Sequence, residues 1–154
     1  MHNSRSPFFT VAYFVGILLF PILASGSVTG VIKLTDSDGT EQLNFASGST
    51  LYIRVTDSDR NTDSGTAETI TATIKSETES SGETVTLTET GVATGIFQGS
   101  IAFEEASASS GDSKLQVSRG DKLTATYVDP ADDFGNEATI TDVAFYSVSL
   151  KSGT

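Results

Sequence analysis

The sequence predicts an all-β protein, folded as an antiparallel two-sheet sandwich of about seven to nine strands. Beyond an apolar N-terminal stretch, Thr, Val, Ile and Ser dominate and helical periodicity is nearly absent, which is the composition of strands. Short segments of alternating apolar and polar residues follow one another, with Gly, Asp, Asn and Ser turns between them. Each segment has a single apolar face, as two sheets packed on one core require.

The N-terminal stretch precedes this domain. His2 and Arg5 lie in a short polar start, Phe8 to Leu23 is a nearly uninterrupted apolar run, and Ala24-Ser25-Gly26 supplies small residues. This pattern is typical of a secretory signal peptide, which we place at residues 1–26. An uncleaved membrane anchor is the alternative, but an apolar run of 16 residues that contains a proline is short for a span. We therefore predict one domain, residues 27–154, secreted to the exterior or cell surface and free of the membrane after cleavage.

Composition excludes several classes of function. Cleavage after residue 26 leaves 8 basic and 20 acidic residues, a net charge of −12 that repels nucleic acid and anionic lipid. The chain has no cysteine, and its only histidine, His2, would leave with the signal peptide. The mature chain then lacks the groups for a Ser-His-Asp site, a Cys-His site or a histidine-ligated zinc. Carboxylate-pair chemistry stays formally open, but without any tryptophan as a sugar platform we predict that the protein is not an enzyme.

Alternation places the strands in order along the chain. Leu51, Ile53 and Val55 illustrate the pattern, since they share one face of a strand whose other face is polar. We expect Ser76 to Glu83 to form a polar surface loop. The seven major strands are predicted to begin at Val28, Leu51, Thr69, Thr84, Ile96, Lys122 and Ala138, with shorter ones at Gln42 to Phe45 and Lys114 to Val117.

The last strand, Ala138 to Leu150, does not alternate cleanly. Ile140 belongs to one register, whereas Val143 and Phe145 belong to the other, before Tyr146, Val148 and Leu150 return to the first. Either a bulge near Asp142 changes the register, or both faces of the strand are used. On the second interpretation the strand contacts or pairs with a neighbouring subunit, and Ser27 to Leu34 serves as the reciprocal partner.

Four oxygen-bearing side chains follow the second major strand at every second position, in Asp57-x-Asp59-x-Asn61-x-Asp63. Hard oxygen ligands at this spacing favour calcium over zinc or copper. The alternative is a polar loop in which Asp and Asn simply favour turns. An EF-hand is excluded, because Gly65 and Glu68 come too early and no helices flank the loop.

Strand direction extends this hypothesis. Successive antiparallel strands run in opposite directions, so the loops after the second, fourth and sixth major strands emerge at one pole. Acidic residues in all three loops should therefore meet, and we predict that they bind calcium there. The predicted ligands are Asp57, Asp59, Asn61, Asp63, Glu89, Asp129, Asp132 and Asp133.

Four segments of the chain carry a resemblance to a known family: LYIRVTDSDRNTD from Leu51, AETITATI from Ala67, ETVTLTETGVATGIFQGSI from Glu83 and LQVSRGDKLTATYVDP from Leu115. In order and spacing they resemble the immunoglobulin-like repeats of bacterial and archaeal extracellular surface proteins, from Ser49 to about Gly135. The resemblance implies an immunoglobulin-like sandwich with an adhesive or structural role, and it carries no catalytic residues. Such repeats usually stand in tandem, whereas this sequence contains one.

Two functions remain open at this point. The first is a subunit that assembles with copies of itself into an extracellular filament, tube or surface layer, stabilised by calcium. The second is a monomeric adhesion or binding module that holds a carbohydrate or a protein through its polar loops. The second function calls for exposed aromatic side chains in the loops, where the sequence offers only Phe134.

Overall fold

The computed structural model describes residues 26–147, and these residues form a curled sheet of nine strands. The predicted all-β, sandwich-like fold is confirmed. No helix among them is long and apolar enough to cross a membrane. The strands are β1 (Val31–Thr35), β2 (Asn44–Ala46), β3 (Thr50–Thr56), β4 (Thr69–Lys75), β5 (Glu83–Glu89), β6 (Ile96–Glu104), β7 (Lys114–Gln116), β8 (Lys122–Asp129) and β9 (Ala138–Ser147), with one 3-10 turn at Ser58–Arg60 after β3.

The sheet order is β1-β3-β6-β5-β4-β8-β9-β2, and β7 pairs with β6. Strand β5 is where the sheet curls, because it pairs with β4 over most of its length and with β6 only at Thr88 and Glu89. Gly99 of β6 lies at this crossing against the Thr86 carbonyl, where any larger side chain would collide with backbone. The curl brings β1, β3 and β6 over β4, β8 and β9, with the core between them.

The sheet is mixed, because two parallel pairs stand beside the antiparallel pairs that the sequence predicts. Strand β2 pairs with β9 in parallel, and β7 pairs with β6 in parallel. Both exceptions are three-residue strands that follow a connection across the molecule, which parallel pairing requires. The first of these connections takes the chain from the β3 side, where β1 lies, to the free side of β9.

The core consists of the inward positions of the alternating strands. The residues predicted to point inward from β3, β4, β5 and β8 are buried, including Leu51, Ile53 and Val55 with no exposed surface. One prediction about the core is wrong. Val28 is 47% exposed, because β1 begins only at Val31 and the preceding residues turn towards the acidic loops.

Strand β9 uses both of its faces. Its pairing with β8 runs without interruption from Asp129↔Ala138 to Lys122↔Phe145, so the predicted bulge near Asp142 is absent. Ala144 and Tyr146 are buried, whereas Val143 and Phe145 are 43% and 48% exposed on the opposite face. The predictions for Val148 and Leu150, like the signal peptide up to residue 25, lie outside the described residues.

The segment from Ser76 to Glu83, expected to be a polar surface loop, instead buries polar groups. Ser76, Glu79 and Glu83 are 4%, 0% and 5% exposed. The Ser76 hydroxyl donates to the Gln116 carbonyl at 2.5 Å and accepts the Glu79 N–H at 2.8 Å. These bonds fasten the β4–β5 connection to the segment around β7.

Candidate functional site at the acidic pole

The three acidic loops meet at one end of the sandwich, as strand direction predicts. We call this end the acidic pole; it consists of Asp57 to Asp63, Glu89 to Gly95 and Asp129 to Glu137. The Asp57 N–H donates to the Gly95 carbonyl at 2.8 Å, which joins the first two loops. Gly95 has φ +60°, and a β-carbon there would lie 2.9 Å from the Cα of Ser58. The close approach therefore requires glycine.

Asp57 is a buried acid of this pole, with 1% of its surface exposed. Its side chain caps the 3-10 turn by accepting the Asp59 N–H at 3.0 Å, and its other oxygen accepts the Tyr127 hydroxyl at 2.6 Å. Burial raises the pKa of the Asp57 carboxyl and outweighs the Tyr127 bond, which lowers it; the charge of Asp129 raises it further. Burial, together with the Asp57 carboxylate, also raises the pKa of the Tyr127 hydroxyl. The pair is an internal hydrogen bond that links β3 to β8.

An N-terminal segment, Ser27 to Gly30, crosses the pole, and its successive N–H groups donate to three different acids. The Val28 N–H donates to Asp59 at 2.8 Å. The Thr29 N–H donates to Asp133 and the Gly30 N–H to Asp129, both at 2.7 Å. Three predicted calcium ligands are therefore partnered by backbone donors of one short segment, which we call the N-terminal clamp.

Asp129 is the most enclosed acid of the clamp, with 0% of its surface exposed. Besides the Gly30 N–H, it accepts the Ala131 N–H at 2.9 Å, so each of its oxygens has a backbone donor. Gly30 itself is confined, since a β-carbon there would lie 3.0 Å from the Tyr127 ring and 3.2 Å from an Asp57 oxygen. A larger residue at this position would displace the clamp.

Glu89 holds the turn that follows β5. One of its oxygens accepts the N–H groups of Thr94 and Gly95, both at 2.7 Å. Burial acts to raise the pKa of Glu89, but these bonds to backbone N–H groups outweigh it and lower the pKa. The residue is a turn anchor in the same pole rather than an unpartnered ligand.

The remaining predicted ligands lie further out. Asp63 is exposed and accepts the Gly65 N–H, and Asp132 accepts the N–H groups of Phe134 and Asn136. Both are local turn interactions of the kind that Asp favours. Asn61 differs, because its side-chain oxygen is buried and has no hydrogen-bond partner.

The pole therefore gathers oxygen atoms without arranging them as a closed cation site. Within residues 26–147, no group of three or more His, Cys, Asp or Glu side chains could hold a metal ion. The acids point to backbone N–H groups, whose partial positive charge replaces that of a cation. The Asn61 oxygen, with no hydrogen-bond partner, and the exposed Asp63 carboxylate remain for a cation, so calcium binding stays a prediction.

Sequence reasoning missed two features of these acids. It did not find the N-terminal clamp, because backbone donors leave no pattern in the spacing of side chains. The one available signal was Gly30, since a glycine next to a strand can mark a close approach of another part of the chain. It also missed a second group of buried carboxylates, Glu79 and Glu83, which lies in the β4–β5 connection. There the burial of a Glu among Ser and Thr residues has no local sequence signal.

The chain was compared with protein-family models and with curated proteins. No protein-family model matches the chain. No curated protein matches it either.

Proposed function

We propose that this chain is a secreted, non-enzymatic structural subunit that assembles with copies of itself into an extracellular filament, tube or surface layer. The observation that carries the proposal is the open edge of β9. Strand β2 pairs with β9 only at residues 145–147. Between Ala138 and Ala144, the side of β9 that faces away from β8 has no strand partner among the described residues.

The direction of the β9 backbone groups follows from its known bonds. The Tyr146 N–H donates to Asp121 next to β8, whereas the Phe145 N–H donates to Leu43 on the opposite side. Because the pattern repeats every second residue, the N–H groups of Thr141 and Val143 also point away from β8. An edge with unpaired donors and acceptors is a template for strand addition by another chain.

The reciprocal partner that we propose lies in the segment Ser27 to Leu34; because the N-terminal clamp already uses the N–H groups of residues 28–30, the partner is its β1 part, which begins at Val31. Strand β1 pairs with β3 on one side, and on its other side the Leu34 carbonyl accepts the Gln42 N–H and Thr35 bridges to Glu41. Where β1 approaches β9, the Leu34 N–H donates to the Asp142 carboxylate at 2.7 Å. This is a bond to a side chain and not part of a strand ladder. Edges without a ladder partner among the described residues, at residues 31–33 of β1 and at residues 138–144 of β9, would allow head-to-tail growth without closure.

Further support comes from the sequence. The resemblance to immunoglobulin-like repeats of surface proteins favours an extracellular structural role, and we propose the immunoglobulin-like form of the sandwich on that basis. The predicted signal peptide supports secretion. The absence of histidine and cysteine from residues 27–154 supports a non-catalytic role.

We expect Thr141→Pro to abolish assembly while the subunit stays folded. Proline removes the outward N–H of an edge strand but none of the N–H groups that point to β8. Thr141→Val is the matched control, since it also removes the hydroxyl but keeps the N–H. Sedimentation and electron microscopy should show polymers for the wild type and Thr141→Val only. Polymers of unchanged form from Thr141→Pro would disprove strand addition at β9.

We also propose that calcium stabilises the subunit at the acidic pole, through Asp59, Asn61 and Asp63 with help from the neighbouring loops. Calcium that binds only the folded state at a hundredfold excess over Kd should add about 2.7 kcal/mol to the free energy of unfolding. Thermal melts with chelator and with added calcium measure this effect. Asn61→Ala should reduce the response without breaking an existing hydrogen bond of its side-chain oxygen. Identical midpoints with and without calcium would contradict the proposal.

A monomeric binding module remains the second candidate, and one observation favours it. Phe134 is 87% exposed at the tip of the Asp129 to Glu137 loop, where an aromatic ring can contact a carbohydrate or a protein. If the intact protein stays monomeric at high concentration with calcium present, and Phe134→Ala abolishes capture on a cell-wall polysaccharide, this second function replaces the first.

A further inference from the structure

One outer face of the sandwich differs from the rest of the surface. It consists of the outward positions of β4, β5, β8 and β9, and we call it the threonine face. Most of these side chains are exposed, and the two central threonines of β8 are half-buried. Ten of its sixteen residues are threonine: Thr69, Thr71, Thr73, Lys75, Thr84, Thr86, Thr88, Lys122, Thr124, Thr126, Val128, Thr139, Thr141, Val143, Phe145 and Ser147.

The threonines are aligned across the strands. Thr73 pairs with Thr84 on one side and with Thr126 on the other, and Thr126 pairs with Thr141. One row of four threonines therefore crosses four strands at the centre of the face. Neighbouring strands are about 4.8 Å apart and alternate residues about 6.8 Å apart, so the methyl and hydroxyl groups form a regular grid.

Charge sets this face apart. The chain carries 20 acidic residues, yet none of the sixteen outward positions is acidic. High β-propensity explains threonine on an exposed strand but not the exclusion of carboxylates. The outer face of the other layer carries Lys33, Arg54 and Glu104, as an ordinary solvated surface does.

The two ends of the face differ in net charge. Lys75 and Lys122 lie at one end beside the exposed Phe145, together with Glu77, whose carboxylate accepts the Lys122 N–H. At the other end, Val128 and Thr139 border the loop from Asp129 to Glu137, whose four acids outnumber the one nearby cation among the described residues, Arg60. A second copy turned end for end would place its lysines opposite this acidic loop, and neutral threonine rows would meet at the centre. The face is therefore complementary to itself about a twofold axis.

We propose that the threonine face binds the threonine face of a second copy of this chain, packed sheet on sheet about a twofold axis near Thr73 and Thr126. The proposal rests on the self-assembly function above and adds a lateral contact to growth at the strand edges. Val128, Val143 and Phe145 supply apolar area, and the threonine methyls pack as in the interior of a sandwich.

The size of the face determines the strength of the contact. Four strands with about seven residues each span about 20 Å by about 20 Å, roughly 400 Å² per copy. A standard stable interface buries about 800 Å² per partner. A pair of free subunits is therefore held weakly, and the contact becomes strong when many copies are already aligned in a polymer.

Cysteine cross-linking tests the proposal directly, because the chain has no cysteine of its own. Residues near a twofold axis contact their own symmetry mates, so Thr73→Cys should form a disulfide-linked dimer under mild oxidation. Thr56→Cys is the matched control, being an exposed threonine of β3 in the other layer. We expect at least tenfold more dimer from Thr73→Cys, both in concentrated soluble protein and in assembled material.

A second pair of variants tests charge. Thr73→Glu should remove lateral association within assemblies, whereas Thr56→Glu should leave it intact, with thermal melts confirming that both fold. Equal cross-linking of the two cysteine variants overturns the face contact, even if polymers form normally and the proposed function stands. Cross-linking of Thr73→Cys without any polymer supports the face contact and refutes the polymer.

Discussion

Replacing Asp129 with alanine should destabilise the fold by about 2 to 4 kcal/mol, the largest loss expected from any of the acidic pole residues. Asp129 is fully buried and accepts the N–H groups of Gly30 and Ala131. Alanine leaves both donors without a partner, and Gly30 is itself buried, so water cannot replace the lost carboxylate there. Urea denaturation in the presence of chelator measures the change without any contribution from calcium.

Asp132→Ala is the matched control for this experiment. Asp132 also accepts two backbone N–H groups, from Phe134 and Asn136, but both of those residues are exposed and water can take over their bonds. We expect a loss below about 1 kcal/mol. If Asp129→Ala costs no more than Asp132→Ala, the N-terminal clamp does not contribute to stability, and Asp129 becomes available as a cation ligand.

The strands of this fold were predictable because their signal is local. Alternation over Leu51, Ile53 and Val55 shows which face is buried, and turn residues show where a strand ends. The meeting of the three acidic loops followed from strand direction alone, without knowledge of any side-chain contact. In β9, alternation could not separate a bulge from a strand with two apolar faces, since that choice depends on the pairing with β8.

The partners of the acids were not predictable, because they are distant in sequence and belong to the backbone. The Thr29 N–H and the Asp133 carboxylate that it meets are 104 residues apart. Spacing such as Asp57-x-Asp59-x-Asn61 reveals oxygen atoms but not the N–H groups that occupy them. The two parallel pairs were missed for a related reason, since a three-residue strand has too few positions for alternation to show which strand it joins.

The second large effect that we expect is a pH dependence of the free energy of unfolding, and it arises in the β4–β5 connection. Glu79 is fully buried; one oxygen accepts the Gln116 N–H at 3.0 Å, and the other has no donor. Burial raises the pKa of the Glu79 carboxyl, despite the Gln116 bond that lowers it, and the charges of Glu83 and Asp112 raise it further. Glu83 accepts the N–H groups of Gly111 and Ser113, which hold its carboxyl group in place beside Glu79.

The raised pKa sets the direction of the pH effect. Below the ordinary glutamate pKa of 4.5, Glu79 makes its full contribution to the free energy of unfolding, because both the folded and the unfolded chain carry the proton. As the pH rises through the folded pKa that contribution is lost, at up to about 1.4 kcal/mol per pH unit between the two values. Glu79→Gln imitates the protonated side chain at every pH, since its amide is uncharged beside Glu83 and its oxygen can still accept the Gln116 N–H. We therefore expect Glu79→Gln to be more stable than the wild type at pH 8 and equal to it near pH 4 in urea titrations.

Glu137→Gln, at an exposed position, is the control and should leave the pH dependence unchanged. A variant that is less stable than the wild type at pH 8 would contradict the raised pKa of Glu79.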